Sequence, residues 1–202
     1  MMLNTLGGGS LANRFALRIA DFLCRNNTIQ HEDKEIYVYG FEILFSNIVN
    51  FILIMVMGLL LKQFHHALLF YIVFVVTRSY CGGYHASTYM KCNITFVGTF
   101  IVTVIASNMI YPTISFVYLI VFLAIYVGCV LEYAPIDNVH KRLTEEEKGR
   151  YRKISILISV FWTVTVFVLY FLSKHYATTL TLTLVMIAML MLIEVNKKKE
   201  SY

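Results

Sequence analysis

The sequence predicts an all-α membrane protein with about six transmembrane helices, preceded by an amphipathic interfacial helix. Three observations carry that expectation. Hydrophobic residues make up 58% of the chain and charged residues only 14%, far from the balance of a soluble domain. The apolar runs repeatedly approach the ~20 residues that cross ~30 Å of hydrocarbon. Most of the 17 lysines and arginines fall at alternate ends of those runs, the charge asymmetry of membrane topology.

A single integral membrane domain over residues 1–202 is expected, because two prolines and no Pro/Ser-rich linker leave no place for a second soluble domain. Residues 1–33 form its amphipathic N-terminal segment and 36–195 its transmembrane bundle. In the first, Leu11, Phe15, Ile19, Phe22 and Leu23 recur at helical spacing, with Asn13, Arg14, Arg18, Asp21 and Arg25 elsewhere around the turn. Such a helix suits an anionic membrane surface. It has no continuous apolar core followed by a small-residue cleavage pattern, so removal as a secretory signal is not expected.

Six spans follow, at 36–61, 64–80, 94–111, 113–131, 154–172 and 178–195. Pro112 separates the third from the fourth, since proline cannot continue a helix without losing a hydrogen bond. Thr144 with Glu147 reads as a capping box that starts a short charged helix. If the N-terminus is cytoplasmic, every lysine and arginine except Lys62 and Lys174 falls on that side. Both termini and the segment 81–92 are therefore placed at the cytoplasmic face. The net charge of +5 matches anionic lipid headgroups, and no nucleic-acid motif competes with that reading.

The stretch "CGGYHASTYMKC", from Cys81 to Cys92, stands out between these runs. The four cysteines show no CxxC spacing and predict neither a disulfide framework nor a zinc site. A cysteine beside a histidine is a different matter, because the imidazole accepts the thiol proton and frees a nucleophile. His85 precedes Cys92 by seven residues, which on a straight helix separates them by two turns, about 10 Å. That is too far for proton transfer, so the backbone must leave the helix in an irregular or re-entrant active-site turn, and Gly82 and Gly83 give it that freedom. Cys81, at i,i+4 spacing from His85, remains a competing nucleophile on geometry alone.

Between Glu42 and Glu132 there is no acidic residue, so no local carboxylate orients His85 as in a triad. His65 and His66 fall in the turn on the opposite side, with no HExxH pattern, and no metal or other cofactor is expected. Arg78 is placed either to snorkel to headgroups or to bind an anion. Glu42 lies within the first span, where an ionisable group is a second-tier functional candidate.

The pattern "RSYCGGYH" followed by Cys92, together with "YAPIDNVHKRL" between the fourth and fifth spans, resembles the AgrB family of quorum-sensing peptide processors. The likeness extends over nearly the whole chain. It implies a membrane-embedded cysteine endopeptidase that cuts the C-terminal part from an AgrD-like precursor peptide and supports its cyclisation to a thiolactone or lactone autoinducer. Carried over residue by residue, it implies Cys92 as nucleophile and His85 as general base, with Arg78, Gly82 and Gly83 supporting, and it leaves Cys81 without a role. It is compatible with a homodimer. The alternative is a membrane transporter or peptide-binding protein without catalysis; that would favour polar residues at mid-membrane depth in several spans.

Overall fold

The computed structural model describes residues 11–83, 89–136 and 144–200, which are helical with no strand among them. Seven α-helices follow in order: α1 Leu11–Arg25, α2 Lys34–Leu60, α3 Phe64–Cys81, α4 Tyr89–Ile110, α5 Phe116–Tyr133, α6 Glu145–Leu172 and α7 Lys174–Glu200. A 3-10 turn, His31–Asp33, leads into α2. The helices α2 to α7 are each long and apolar enough to cross a bilayer, and the chain is a multi-pass membrane protein. Only closed backbone hydrogen bonding survives in hydrocarbon, which is why these runs are helices.

The chain divides into two compact units. One comprises Met1–Leu53 and Ala86–Thr95, the other Ile54–His85 and Phe96–Tyr202. The helices α2 and α4 each contribute residues to both.

In the larger unit α7 is the central helix, packed by α3, α5 and α6. Leu180, Leu184, Ile187, Ala188 and Met191 are buried along it, at the i, i+4, i+7 spacing of a helix face. The run "ATTLTLTL" adds Thr178, Thr179, Thr181 and Thr183, all with no exposed surface. Each donates its hydroxyl to the carbonyl four residues earlier, at 2.8–3.0 Å. Small residues that satisfy themselves this way let neighbouring helices approach closely in a membrane. Between α3 and α4, Phe70, Phe74, Phe96 and Phe100 form an aromatic cluster, with centroids 4.8–5.6 Å apart.

In the smaller unit α1 packs through a stripe of small residues, Ala16, Ala20 and Cys24, spaced by four and buried. Phe15 and Phe22, on the apolar face expected to meet lipid, remain exposed. Asp21 pairs with Lys34 at 2.6 Å, and Asn13 donates its amide to the carboxylate of Glu42. The N-terminal helix therefore has three faces, one for protein, one for lipid and one polar.

Two boundaries differ from the expected spans in an informative way. The charged helix after Thr144 and the fifth span are one continuous helix, α6, because nothing between Glu147 and Ile154 breaks it. Its start is the expected capping box: Glu147 N–H donates to Thr144 Oγ1 at 3.2 Å, and Thr144 N–H to Glu147 Oε2 at 2.9 Å. Helix α4 begins at Tyr89 rather than near residue 94, so Cys92 lies inside a helix.

Candidate active site

Where α3 ends, the sequence leaves no option but to break. Gly82 has φ +78° and ψ −162°, and Gly83 has φ +148°, conformations that side-chain-bearing residues rarely adopt. The two glycines thus end the helix, as the need to leave helical geometry required. Gly82 N–H still caps α3 by donating to the carbonyl of Arg78 at 3.0 Å. The last carbonyl of α3, that of Cys81, accepts from the N–H of Ile136 at 3.0 Å. A Cβ on Gly82 would lie 2.6 Å from the Ile136 carbonyl oxygen, whereas one on Gly83 would meet nothing within 4 Å.

That contact joins the two segments singled out in the sequence, "SYCGG" and "YAPI". Further ties collect at the same end of the larger unit. Arg152, near the start of α6, donates to the carbonyl of Leu131 at 3.1 Å, and the rings of Tyr80 and Tyr151 lie 5.9 Å apart. The Arg78 guanidinium sits over the Phe74 ring at 5.7 Å from its centroid. The Cys81 thiol is fully buried beside Ser155 of α6. One turn away, Tyr126 hydrogen-bonds with Ser159 at 3.0 Å. Buried among helices, Cys81 has the surroundings of a packing residue.

Cys92 belongs to the smaller unit. It occupies the first turn of α4, with a free, half-exposed thiol. Its neighbour Asn93 has a buried side-chain oxygen, and Thr95 returns its hydroxyl to the carbonyl of Lys91 at 2.8 Å. Glu42 is buried in this unit with Asn13 as its donor. His85 and the rest of the expected re-entrant turn over 84–88 lie outside the described residues, as do 137–143 with Lys141 and Arg142 of the basic loop.

The opposite end of the larger unit holds a cluster the sequence did not announce. His66 Nδ1 is 2.8 Å from the hydroxyl of Thr179, which is 2.7 Å from that of Ser107. His66 also stacks on Tyr176, and His175 on Tyr111. From His66 to Cys81 is fifteen residues of α3, about 22 Å of helix. Among the described residues no three His, Cys, Asp or Glu side chains gather in a way that would hold a metal ion.

Accessory gene regulator B proteins match the chain over residues 16–193. The chain belongs to that family. It is 27% identical over 163 residues to AgrB-like protein 2 of Clostridium perfringens strain 13, covering 76% of each chain. It is 28% identical over 153 residues to accessory gene regulator protein B of Staphylococcus aureus strain MRSA252, covering 75% of this chain and 80% of that one. No solved structure matches. The AgrB match takes in both glycines, Cys92 and the YAPI segment.

Proposed function

We propose that the chain is a membrane-embedded cysteine endopeptidase that processes an AgrD-like precursor peptide for quorum sensing, with Cys92 as nucleophile and His85 as general base. The observation that carries this reading is a half-exposed free thiol at Cys92, on a helix that starts just beyond a double-glycine break, in a chain of the AgrB family.

The chemistry takes two acyl transfers. His85 accepts the thiol proton, and Cys92 Sγ attacks the carbonyl carbon of the scissile bond. As the resulting oxyanion collapses, the C–N bond breaks and His85 returns the proton to the departing amine. The acidic C-terminal fragment leaves, and a peptidyl thioester remains on Cys92. A thiol or hydroxyl within the precursor then attacks that carbonyl and gives its proton to the Cys92 thiolate through His85. The product is a thiolactone or lactone ring. Ring closure itself needs no ATP, because the thioester carries a higher acyl-transfer potential than the peptide bond it replaces, and departure of the C-terminal fragment draws the uphill first step forward. Holding the internal nucleophile close raises its effective concentration, and exclusion of water favours closure over hydrolysis.

Arg78 supports the reaction as a cation for the oxyanion or a substrate carboxylate, and Gly82 and Gly83 as the turn that frees the segment bearing His85. The basic residues from Lys141 to Lys153 attract the acidic tail. The distribution of lysine and arginine supports a cytoplasmic position for this chemistry and for both termini, with anionic lipids around them.

The test is to incubate the purified protein in liposomes with a synthetic AgrD-like precursor and look for a peptidyl adduct by mass spectrometry. The adduct should map to Cys92, vanish in Cys92→Ala and persist in Cys81→Ser. Cleavage by Cys92→Ala would overturn the reading.

A further inference from the structure

Helix α2 is apolar on its outer surface and polar where it is buried. Between Lys34 and Leu53 its large side chains Ile43, Leu44, Ile48, Val49, Phe51 and Ile52 are exposed, as suits lipid. Its two buried side chains there are Glu42 and Asn50, with Ser46 half-buried between them. Spacing by four places the three along one slowly turning stripe. A membrane helix with this inversion presents its polar groups to protein or to a ligand.

Glu42 has Asn13 as its donor. Asn50 is not matched in this way: its residue exposure is 9%, and its side-chain Oδ1 is buried with no hydrogen-bond partner among the described residues. The Oδ1 of Asn93, the residue after Cys92, is buried and without such a partner too. Both belong to the smaller unit, with Cys92. An unpaired buried carbonyl costs about 1–3 kcal/mol in proteins and more against hydrocarbon. Leucine at either position would remove that penalty and suit the membrane better.

An amide oxygen in want of a partner selects a donor. Lipid esters offer only acceptors, whereas a peptide backbone in a bilayer carries N–H groups that themselves need satisfying. A carboxamide also offers N–H donors to the peptide's carbonyls. We propose that Asn50 and Asn93 bind the backbone of the precursor peptide in the interior of this unit, Asn93 holding the peptide groups next to the bond that Cys92 attacks. The inference rests on the peptidase reading for the nature of the ligand.

Three measurements on the full chain in liposomes test it. A photo-crosslinking p-benzoylphenylalanine replaces residue 50, or the lipid-facing Ile48 as control, in a Cys92→Ala background that cannot consume a synthetic AgrD-like precursor. Capture at position 50 and none at 48 is expected; no capture at 50 overturns the proposal. In the active enzyme, Asn50→Leu and Asn93→Leu should each raise KM about tenfold, the equivalent of one hydrogen bond to substrate. Their thermal stability should be unchanged or higher. Unchanged KM overturns the proposal and leaves an ordered water as the partner of these oxygens. Failure of the peptidase reading looks different: the precursor is still captured at position 50, but its cleavage does not depend on Cys92.

Discussion

The backbone N–H of Ile136 donates to the carbonyl of Cys81 at 3.0 Å, so the segment after α5 closes onto the last residue of α3. The bond uses one of the carbonyls a helix leaves unpaired at its C-terminus. It also brings the Ile136 backbone so near Gly82 that no side chain fits there. Two sequence segments more than fifty residues apart are thus one structural element, and the end of α3 is fixed by both.

Gly82→Ala should therefore damage the protein more than Gly83→Ala. Both carry a positive φ, which costs a side-chain-bearing residue about 1–2 kcal/mol. Only at residue 82 does the added methyl also collide with backbone, at 2.6 Å from the Ile136 oxygen. The expected result in detergent is a clearly lower unfolding temperature for Gly82→Ala and a smaller decrease for Gly83→Ala. Equal stability for the two variants would show that the closure onto Ile136 does not matter.

How far this was legible beforehand differs by feature. The helices, the proline turn and the capping box at Thr144 are local in sequence, and they were readable. The start of α4 was not, because span limits follow apolarity while the helix also takes in Lys91 and Cys92, which a membrane interface tolerates. The need for a break after Cys81 followed from helix geometry, but its fastening by Ile136 is a long-range backbone bond that no side-chain pattern encodes. The same holds for His66 with Thr179, which lie on different helices far apart in the chain. Asn50 was visible as a polar residue in a span; its burial without a partner was not.

Thiol accessibility gives a direct prediction. Cys81 and Cys24 are buried, whereas Cys92 is half-exposed. A water-soluble maleimide applied to the folded protein should modify Cys92 well before Cys81 or Cys24, with those two becoming reactive only on unfolding. Peptide mapping by mass spectrometry reads the order. Early modification of Cys81 would contradict its enclosed position beside Ser155.

At the other end of α3, Thr179 serves both His66 and Ser107. Thr179→Val keeps the shape of the side chain and removes the shared hydroxyl. It should lower stability by roughly 1–2 kcal/mol, since two buried polar groups lose a partner. Precursor cleavage by the folded fraction should keep its kcat, because neither His66, Ser107 nor Thr179 has a part in the proposed chemistry of His85 and Cys92. Denaturant unfolding in micelles measures the first expectation and a turnover assay the second. A fall in kcat at unchanged stability would tie this cluster to catalysis.

The docking of α1 should respond to acid in a defined direction. The hydrogen bond from Lys34, with the attraction of its charge, holds the Asp21 carboxyl below its ordinary value of 3.8. A carboxylate lowered on docking contributes its full stabilisation above 3.8 and loses it as pH falls through the lowered value. The pair is solvent-exposed, so its share is small, and the attachment should rest mostly on the stripe of Ala16, Ala20 and Cys24, which is buried. Ala20→Leu, which overfills that stripe, should displace α1 at neutral pH, while Asp21→Asn should leave it docked and remove only the acid dependence. Spin labels at Arg18 on α1 and Tyr39 on α2 report both: distances should broaden in Ala20→Leu and stay narrow in Asp21→Asn. Equal broadening in the two variants would mean that the ion pair, rather than the alanine stripe, holds the helix.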